Sequence, residues 1–414
     1  MVPKSSTGPE EVRQSFNRIS NEGNGAGELV SLDENGNASV INHRVYLDQD
    51  IYKAELDNIF GRLWVFVGLE SEVENSGDYK ATFVGERPVV IVRDENGKLH
   101  VFENVCLHRG AKLVRSACGN QKSMTCMYHQ WCFGLDGRLT GVGLPRGYPE
   151  SFRMEDYKLS ELPRVEVFAG MVFASYDPDI EPLEDYLNEY APYAREILND
   201  GAIEFLGFQR YHVKANWKLF VENTIDAYHP GLLHVAILRD RAGYQYKPGL
   251  GANYKFRNGH GLLKWPVTLS DEADWNAQTD LPITLCRTRS EGWDYVSNVF
   301  PNAMILQIED ILTIRQLIPR GVNNVDVITY NLALKGESEE IKRHRAWVVS
   351  NQFGISGVAS LDDKVAMEAV QNASMTQYTD TILLRGNLDD TSGDLTAEIS
   401  LRGFYEMWAS CIVE

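Results

Sequence analysis

The 414-residue chain has no uninterrupted apolar run of the roughly 18 residues that a membrane-crossing helix needs, which excludes a membrane span and a membrane partner from expectation. Its opening stretch, MVPKSSTGPEEVRQSFNRIS, places no apolar block after its charges. No secretory leader is expected, and a cytoplasmic location is. Basic residues are the minority: 40 Lys+Arg against 58 Asp+Glu leave a formal net charge of −18. A surface that acidic repels nucleic acid and anionic lipid, and suits a partner with a basic docking face. No Gly-rich phosphate loop follows a strand, so the chain is not expected to hold a dinucleotide itself. Cysteine is scarce, six in all, yet Cys106, Cys118, Cys126 and Cys132 fall within 27 residues. Clustered thiols in such a chain point to metal or redox chemistry before disulfides.

What is present describes a globular protein of two or three domains, with 43% hydrophobic and 24% charged residues. Residues 1–39 are rich in Gly, Asn, Ser and Glu and read as a loosely ordered arm, with a short helix near Glu10–Ile19. Residues 48–60 carry helical spacing, with Ile51, Leu56, Ile59 and Phe60 near one face. A strand-rich domain follows over 40–170. It has one hairpin turn at Glu95-Asn96-Gly97, another at Asp136-Gly137, and a third strand pair in RVEVFAGMVFASYD. Helical spacing returns at PLEDYLNEYAPYAREIL, and strands are expected at about 203–214, 295–300, 303–318 and 325–334. Helices are expected near Leu219–Tyr228, over GESEEIKRHRAWVVSNQF, over DDKVAMEAVQ, and in the tail, where Leu401, Phe404, Tyr405, Trp408 and Ile412 share a side. Residues 171–414 thus read as an α+β domain with an antiparallel sheet.

Two constellations carry chemistry. Cys106-Leu107-His108 is followed by Cys126-Met127-Tyr128-His129. A thiolate and an imidazole, given twice, make a four-ligand set. Buried residues without metal, a structural Cys₂His₂ zinc and a [2Fe–2S] cluster all remain open. The pairing favours the cluster, since each loop then gives one ligand to each iron. Neutral imidazoles would raise its potential to roughly −150 to +300 mV, against about −400 mV for plant-type ferredoxins. Backbone N–H groups at Gly110 and Gly134 are candidate donors to the sulfides. Trp131 reads equally as a water shield or a hairpin core residue. Cys118 and Cys132 read as small buried residues outside the pattern.

The second constellation holds His229 and His234. Asp226 lies three residues before His229, so a helix would put both on one face. His234 lies five residues on, where a straight helix would turn its ring away; Pro230-Gly231 supplies a break. Two histidines alone also fit ordinary core. One carboxylate from elsewhere would complete a facial triad for non-haem Fe(II), and Leu361-Asp362-Asp363 offers two at a helix start, where aspartates usually cap.

These residues resemble the α subunit of Rieske-type aromatic-ring-hydroxylating oxygenases. Cys106-Leu-His108-Arg109-Gly110 and Cys126-Met-Tyr-His129 look like that family's cluster motif. Asn216-Trp217-Lys218, Glu222-Asn223 and Asp226-Ala-Tyr228-His229…His234 look like its iron-site motif. The resemblance runs from about residue 40 to the end. It implies Asp363 as third iron ligand, with Asp362 as the fallback, and departs slightly at Ile355-Ser356. It implies an α+β protein: a Rieske-type β domain plus a catalytic domain with a large antiparallel sheet flanked by helices, of the helix-grip (START-like) kind. It further implies an α₃ trimer or an α₃β₃ assembly with a small β subunit. In such a ring the cluster of one subunit feeds the iron of the next, through His129, Asp226 and His229. Electrons would come indirectly from NAD(P)H through a reductase, with or without a ferredoxin. Asp226 and Asn223 take catalytic roles by family position; Asn223 and Phe353 line the pocket, although Phe353 also fits ordinary core.

The overall pattern looks most like oxygenases for aromatic acids of the salicylate, terephthalate, anthranilate or benzoate type, acting with O₂. Arg315, in the strand Thr313-Ile-Arg315-Gln-Leu-Ile-Pro319, is a candidate clamp for a substrate carboxylate; the competing reading pairs it with an internal acid. Alternatives are an oxygenase for a neutral arene or for N- or O-dealkylation, a pure Rieske electron carrier, and a zinc-stabilised binding module.

Overall fold

A computed structural model describes residues 29–33, 35–234, 251–267, 288, 291–375 and 380–412. The helix expected near Glu10–Ile19 and Cys286 lie outside the described residues. In chain order come β1 (Val30–Leu32), β2 (Ala38–Asn42), α1 (Gln49–Ala54), β3 (Val65–Leu69), β4 (Asp78–Val84), β5 (Arg87–Arg93), β6 (Leu99–Glu103), β7 (Cys118–Asn120), β8 (Met124–Thr125), β9 (Cys132–Phe133) and β10 (Leu139–Gly141). Then follow β11 (Arg164–Phe168), β12 (Met171–Ser175), α2 (Leu183–Leu187), α3 (Ala191–Ile197), β13 (Ile203–Val213), α4 (Trp217–Thr224), α5 (Pro230–Leu233), β14 (Ala252–Lys255), β15 (Gly261–Pro266) and β16 (Trp293–Val299). The chain closes with β17 (Ala303–Ile308), β18 (Ile311–Pro319), β19 (Val325–Leu334), α6 (Glu339–Gln352), α7 (Val358–Ser374), β20 (Asp380–Ile382), β21 (Ser392–Asp394) and α8 (Ile399–Ile412). None of the described helices is long and apolar enough to cross a membrane.

The N-terminal β domain is built on a four-stranded sheet, β6-β5-β4-β7, and two three-stranded ones, β10-β9-β8 and β11-β12-β3. Its first hairpin closes where expected. The Asp94 carboxylate accepts the N–H groups of Asn96 and Lys98, and Gly97 takes φ +80°, a conformation that costs a side chain but not a glycine. The end of the supposed loose arm is structured: β1 and β2 pair, and β2 adds β20 from the far end of the chain.

The C-terminal domain centres on an eight-stranded sheet in the order β13-β19-β18-β17-β16-β15-β14-β21, antiparallel at every pairing. The run expected as a single strand over 303–318 is a hairpin, with Ile308 facing Ile311. Glu309 turns at φ +52°, and its N–H is caught by Asp294 at 2.8 Å. That turn holds no Gly, Pro or Asn, so nothing local announces it; a distant aspartate makes it. The two domains are joined by backbone recognition: Asn302 both accepts from and donates to the peptide of Phe66 in β3, and Gln316 donates to the same carbonyl.

The helix expected over 48–60 begins at Gln49, capped by Asp48, and widens into a π turn over Glu55–Ile59. In α8, Leu401, Phe404, Tyr405 and Trp408 are buried as expected, while Ile412 is only partly so. Each fully buried side chain of that kind contributes about 1.5–3 kcal/mol.

Candidate metal centres

The two Cys/His loops are near copies of one turn. The Cys106 carbonyl accepts the N–H of Gly110 (2.9 Å), and the Cys106 N–H donates to Ala111 (2.8 Å). The Cys126 carbonyl accepts the N–H of Gln130 (3.0 Å), and the Cys126 N–H donates to Trp131 (2.8 Å). Each turn closes on a left-handed residue, Gly110 at φ +69° and Gln130 at φ +57°. The thiols of Cys106 and Cys126 are buried and touch; burial pushes the Cys106 thiol up and its neighbour adds to this, against the pull of the His108 and Arg109 N–H groups. The rings of His108 and His129 lie 4.5 Å apart at 72°.

These residues fit a two-iron cluster better than a single ion. A tetrahedral zinc with 2.0–2.3 Å bonds needs its donor atoms within about 4 Å of one another. Among the described residues, the one set of three such donors within 4.8 Å of one another is His229, His234 and Asp363, not this one. His108 Nδ1 is buried with no hydrogen-bond partner among the described residues, so its lone pair is available to a metal. Trp131 stacks on His108 at 5.2 Å, nearly parallel, and its own N–H is held by Tyr148, so it is a wall of this site. Two expectations fail here. The Gly110 and Gly134 N–H groups donate to the carbonyls of Cys106 and Arg138, so neither is free for a sulfide. Cys118 is exposed and Cys132 half-buried, because they lie on short peripheral strands.

The second centre forms where α4 stops. Asn216 caps α4 by accepting the Lys218 N–H (3.1 Å). The helix ends at Thr224, short of the expected Tyr228. Asp226 ends it: its Oδ1 accepts the Tyr228 N–H at 2.6 Å. Asp226 and His229 therefore meet in a bend and not on a helical face, with Asp226 Oδ2 3.1 Å from His229 Nδ1. Pro230 then starts α5, whose single turn brings His234 round until the two imidazoles lie 5.3 Å apart at 77°.

Both imidazoles present Nε2 to one oxygen. Asp363 Oδ1 lies 3.4 Å from His229 Nε2 and 3.2 Å from His234 Nε2, and accepts the Asn223 amide at 3.1 Å. The outward nitrogens are held by carboxylates: Asp226 on His229 and Asp362 on His234, the latter at 3.4 Å. Such outer contacts fix the tautomer and aim of ligand histidines. Burial alone would raise the Asp363 carboxyl, but the two histidines outweigh it and hold it below the usual carboxylate range. Burial pulls His229 down, and Asp226 and Asp363 overcome this and push it up to about 9. A pocket that favours imidazolium this strongly favours a divalent cation in the proton's place. Two imidazoles and one carboxylate fit ferrous iron with open positions.

Arg315 lies on β18 and faces Phe220 of α4, the helix that leads into this centre. It is 3% exposed, and its guanidinium lies 5.7 Å from the Phe220 ring and 5.1 Å from the Phe353 ring. No carboxylate pairs with it among the described residues, and its Nε and Nη2 lack hydrogen-bond partners there. The internal-acid reading of Arg315 is thus not what the structure contains. Sequence reasoning gave Asp362 only a fallback role and missed its hold on His234. It also missed the buried carboxylate of Glu55, which joins Lys218, Trp217 and Trp408.

A cluster-shaped pair of Cys/His loops, joined to a two-histidine, one-aspartate centre on a helix-flanked antiparallel sheet, defines the class of Rieske non-haem iron oxygenases. The Rieske [2Fe–2S] domain family matches residues 63–151, and the ring hydroxylating alpha subunit (catalytic domain) family matches residues 203–414. The chain belongs to the ring-hydroxylating α-subunit family. It is 32% identical over 397 residues to the salicylate 5-hydroxylase large oxygenase component of a Ralstonia species, covering 89% of this chain and 93% of that one. It is 32% identical over 400 residues to the anthranilate 1,2-dioxygenase large subunit of Burkholderia cepacia, covering 89% and 92%. Naphthalene 1,2-dioxygenase with indole bound in its active site superposes with a TM-score of 0.81 at 26% identity, covering 93% and 94%.

Proposed function

We propose that this oxygenase component hydroxylates an aromatic carboxylate, with Arg315 as the carboxylate anchor. The observation that carries the reading is a buried guanidinium with two donor nitrogens that have no partner among the described residues, and with two phenyl rings within 6 Å. A buried charge without a partner is costly, and an incoming carboxylate relieves that cost. The salicylate and anthranilate relatives support an acidic substrate. When bound, the cluster would supply single-electron relay from NAD(P)H on a separate reductase, with or without a ferredoxin, and the ferrous iron would supply O₂ activation for hydroxylation of the ring.

The chain's own residues do the positioning. Cys106, His108, Cys126 and His129 hold the cluster; His229, His234 and Asp363 hold the iron. Asn223 fixes the Asp363 carboxylate, and Asp226 fixes His229. Phe220 and Phe353 flank Arg315 and pack the substrate ring. After the arm 1–39, the Rieske domain runs from residue 40 through β12 (Met171–Ser175), past the expected boundary at 170 because β12 pairs with β11 and β3, and the catalytic domain follows to residue 414. The assembly is a closed ring, α₃ or α₃β₃ with a small β subunit, in which Asp226 receives His129 of the partner subunit. Exposed apolar side chains on both sides support this: Met127 and Tyr128 beside His129, Tyr228 and Leu232 beside His229.

A screen of aromatic acids and neutral arenes with a surrogate reductase, read by product mass and NADH coupling, tests the reading. An aromatic acid is expected to turn over with tight coupling. Arg315→Met should weaken it by about 1.5–3 kcal/mol, roughly 10- to 150-fold. Turnover of neutral arenes alone, or an unchanged response in Arg315→Met, overturns it.

A further inference from the structure

The sheet face that carries Arg315 holds more polar groups than one carboxylate can use. β18 and β19 read ILTIRQLIP and VDVITYNLAL. Alternation puts Thr313 on the Arg315 face of β18, and the register sets it directly opposite Asn331 on β19. Opposed side chains of this kind have Cβ atoms about 5 Å apart. Helix α6 covers this face: Ile311, the preceding residue on it, packs on Val348 and Val349. Gln352 lies one turn further along α6, next to Phe353, whose ring faces Arg315. Thr313, Asn331 and Gln352 are 0%, 7% and 6% exposed. Yet Thr313 Oγ1, Asn331 Oδ1 and Gln352 Nε2 have no hydrogen-bond partner among the described residues.

Buried polar atoms are almost always paired, so three unpaired ones on one covered face, beside an unpaired guanidinium, describe a binding surface. Their chemistry is specific. A hydroxyl and two carboxamides both donate and accept, and none is charged. A neutral group that itself donates and accepts completes them. A second carboxylate meets no second cation there among the described residues. A bare ring edge leaves all three unmet, the situation in which polar sites reject a ligand most strongly.

We propose that Thr313, Asn331 and Gln352 form a second polar subsite, selecting aromatic acids whose ring carries a neutral hydroxyl or amino substituent. This rests on Arg315 as carboxylate anchor and narrows the substrate from an acid to a substituted acid.

Calorimetric titration of the metal-loaded protein without reductase tests it free of turnover. The ligands are benzoate, the three hydroxybenzoates, 2-aminobenzoate, terephthalate, phenol and benzene. At least one hydroxy- or aminobenzoate is expected to bind on the order of tenfold more tightly than benzoate, from two or more added hydrogen bonds. In Thr313→Val/Asn331→Leu that preference should fall to within about threefold, with benzoate itself unchanged. Arg315→Met should weaken all the acids alike and leave the preference intact. A wild-type preference near one for every isomer, or a preference that survives the double variant, overturns the subsite. Acids that bind Arg315→Met as well as wild type overturn the anchor instead; the phenol-to-benzene ratio then still decides the subsite. The single variant Thr313→Val should melt no lower than wild type, since it trades an unpaired hydroxyl for a methyl. A lower melting temperature means that the hydroxyl is already paired, and counts against the proposal.

Discussion

Lys218→Met is the sharpest test of how the iron centre is fastened. Lys218 and Glu55 are both fully buried, with Nζ 2.5 Å from Oε1. Glu55 also accepts the indole N–H groups of Trp217 and Trp408, each at 2.8 Å. One carboxylate thus ties the start of α4 to the π turn and to α8. From α4 the chain runs directly to Asn223, Asp226 and His229. Methionine keeps the length of the lysine stem and deletes the charge, which leaves a buried carboxylate with two indole donors and no counter-charge. Breaking a buried pair from one side costs about 3–5 kcal/mol. The lower half of that range applies, because burial already pulls the Lys218 ammonium toward neutrality against the opposing pull of Glu55. Glu55→Gln with Lys218→Met removes both charges; what remains is imperfect pairing of one amide and one indole, about 1–2 kcal/mol. The order of stability is therefore wild type, double variant, single variant. Urea unfolding followed by tryptophan fluorescence measures it, with iron content as a second readout that should follow the same order. A single variant that unfolds with wild type, or a double variant no more stable than the single, refutes the reasoning.

Two other predictions concern the centre itself. Asp226→Asn should retain cluster and iron by metal analysis yet stop electron delivery, seen as a cluster that no longer oxidises in a single turnover; full activity would sink the bridging role. Asp363→Ala should abolish iron binding and leave the cluster's visible spectrum intact, whereas Asp362→Ala should weaken iron by 10- to 100-fold only, as loss of an outer contact does. Equal loss in both variants, read by metal titration, would show that the two carboxylates do not have separate jobs.

The cluster loops were legible because everything they need is local. Each is one turn of chain, and spacing alone puts the thiol and imidazole on it. His229 and His234 were legible for the same reason, with Pro230 marking the bend between them. What failed was whatever distant residues decide. Glu55 and Lys218 stand 163 positions apart, and no pattern in either segment announces the pair. The break at Glu309-Asp310 is made by Asp294. The polar face of β18 was half visible: Thr313 and Arg315 stand two apart in an apolar strand, but their neighbour Asn331 depends on the register with β19. That Arg315 has no acid partner among the described residues is a property of the packed interior, not of its strand.

The two aspartates show how an ambiguity in sequence becomes a division of labour in space. At the level of spacing, Asp362-Asp363 reads as a capping pair with one carboxylate to spare. In the structure neither caps, because α7 begins earlier, at Val358, with Gly357 at its N-cap. Both aspartates then sit in its second turn, where consecutive side chains point about 100° apart. An imidazole has two nitrogens on different edges, so adjacent carboxylates on one helix can serve both. Asp363 faces Nε2 of His234 and shares that oxygen with His229, while Asp362 reaches Nδ1 of His234 from the half-exposed side. Asp226 does for His229 what Asp362 does for His234. The same pattern, an inward nitrogen toward a shared carboxylate and an outward nitrogen held by its own, is thus built twice: once by a helix and once by a bend. Only the inward set can close on an ion. That geometry, rather than the order of two identical residues, separates the carboxylate proposed to bind from the one proposed to aim.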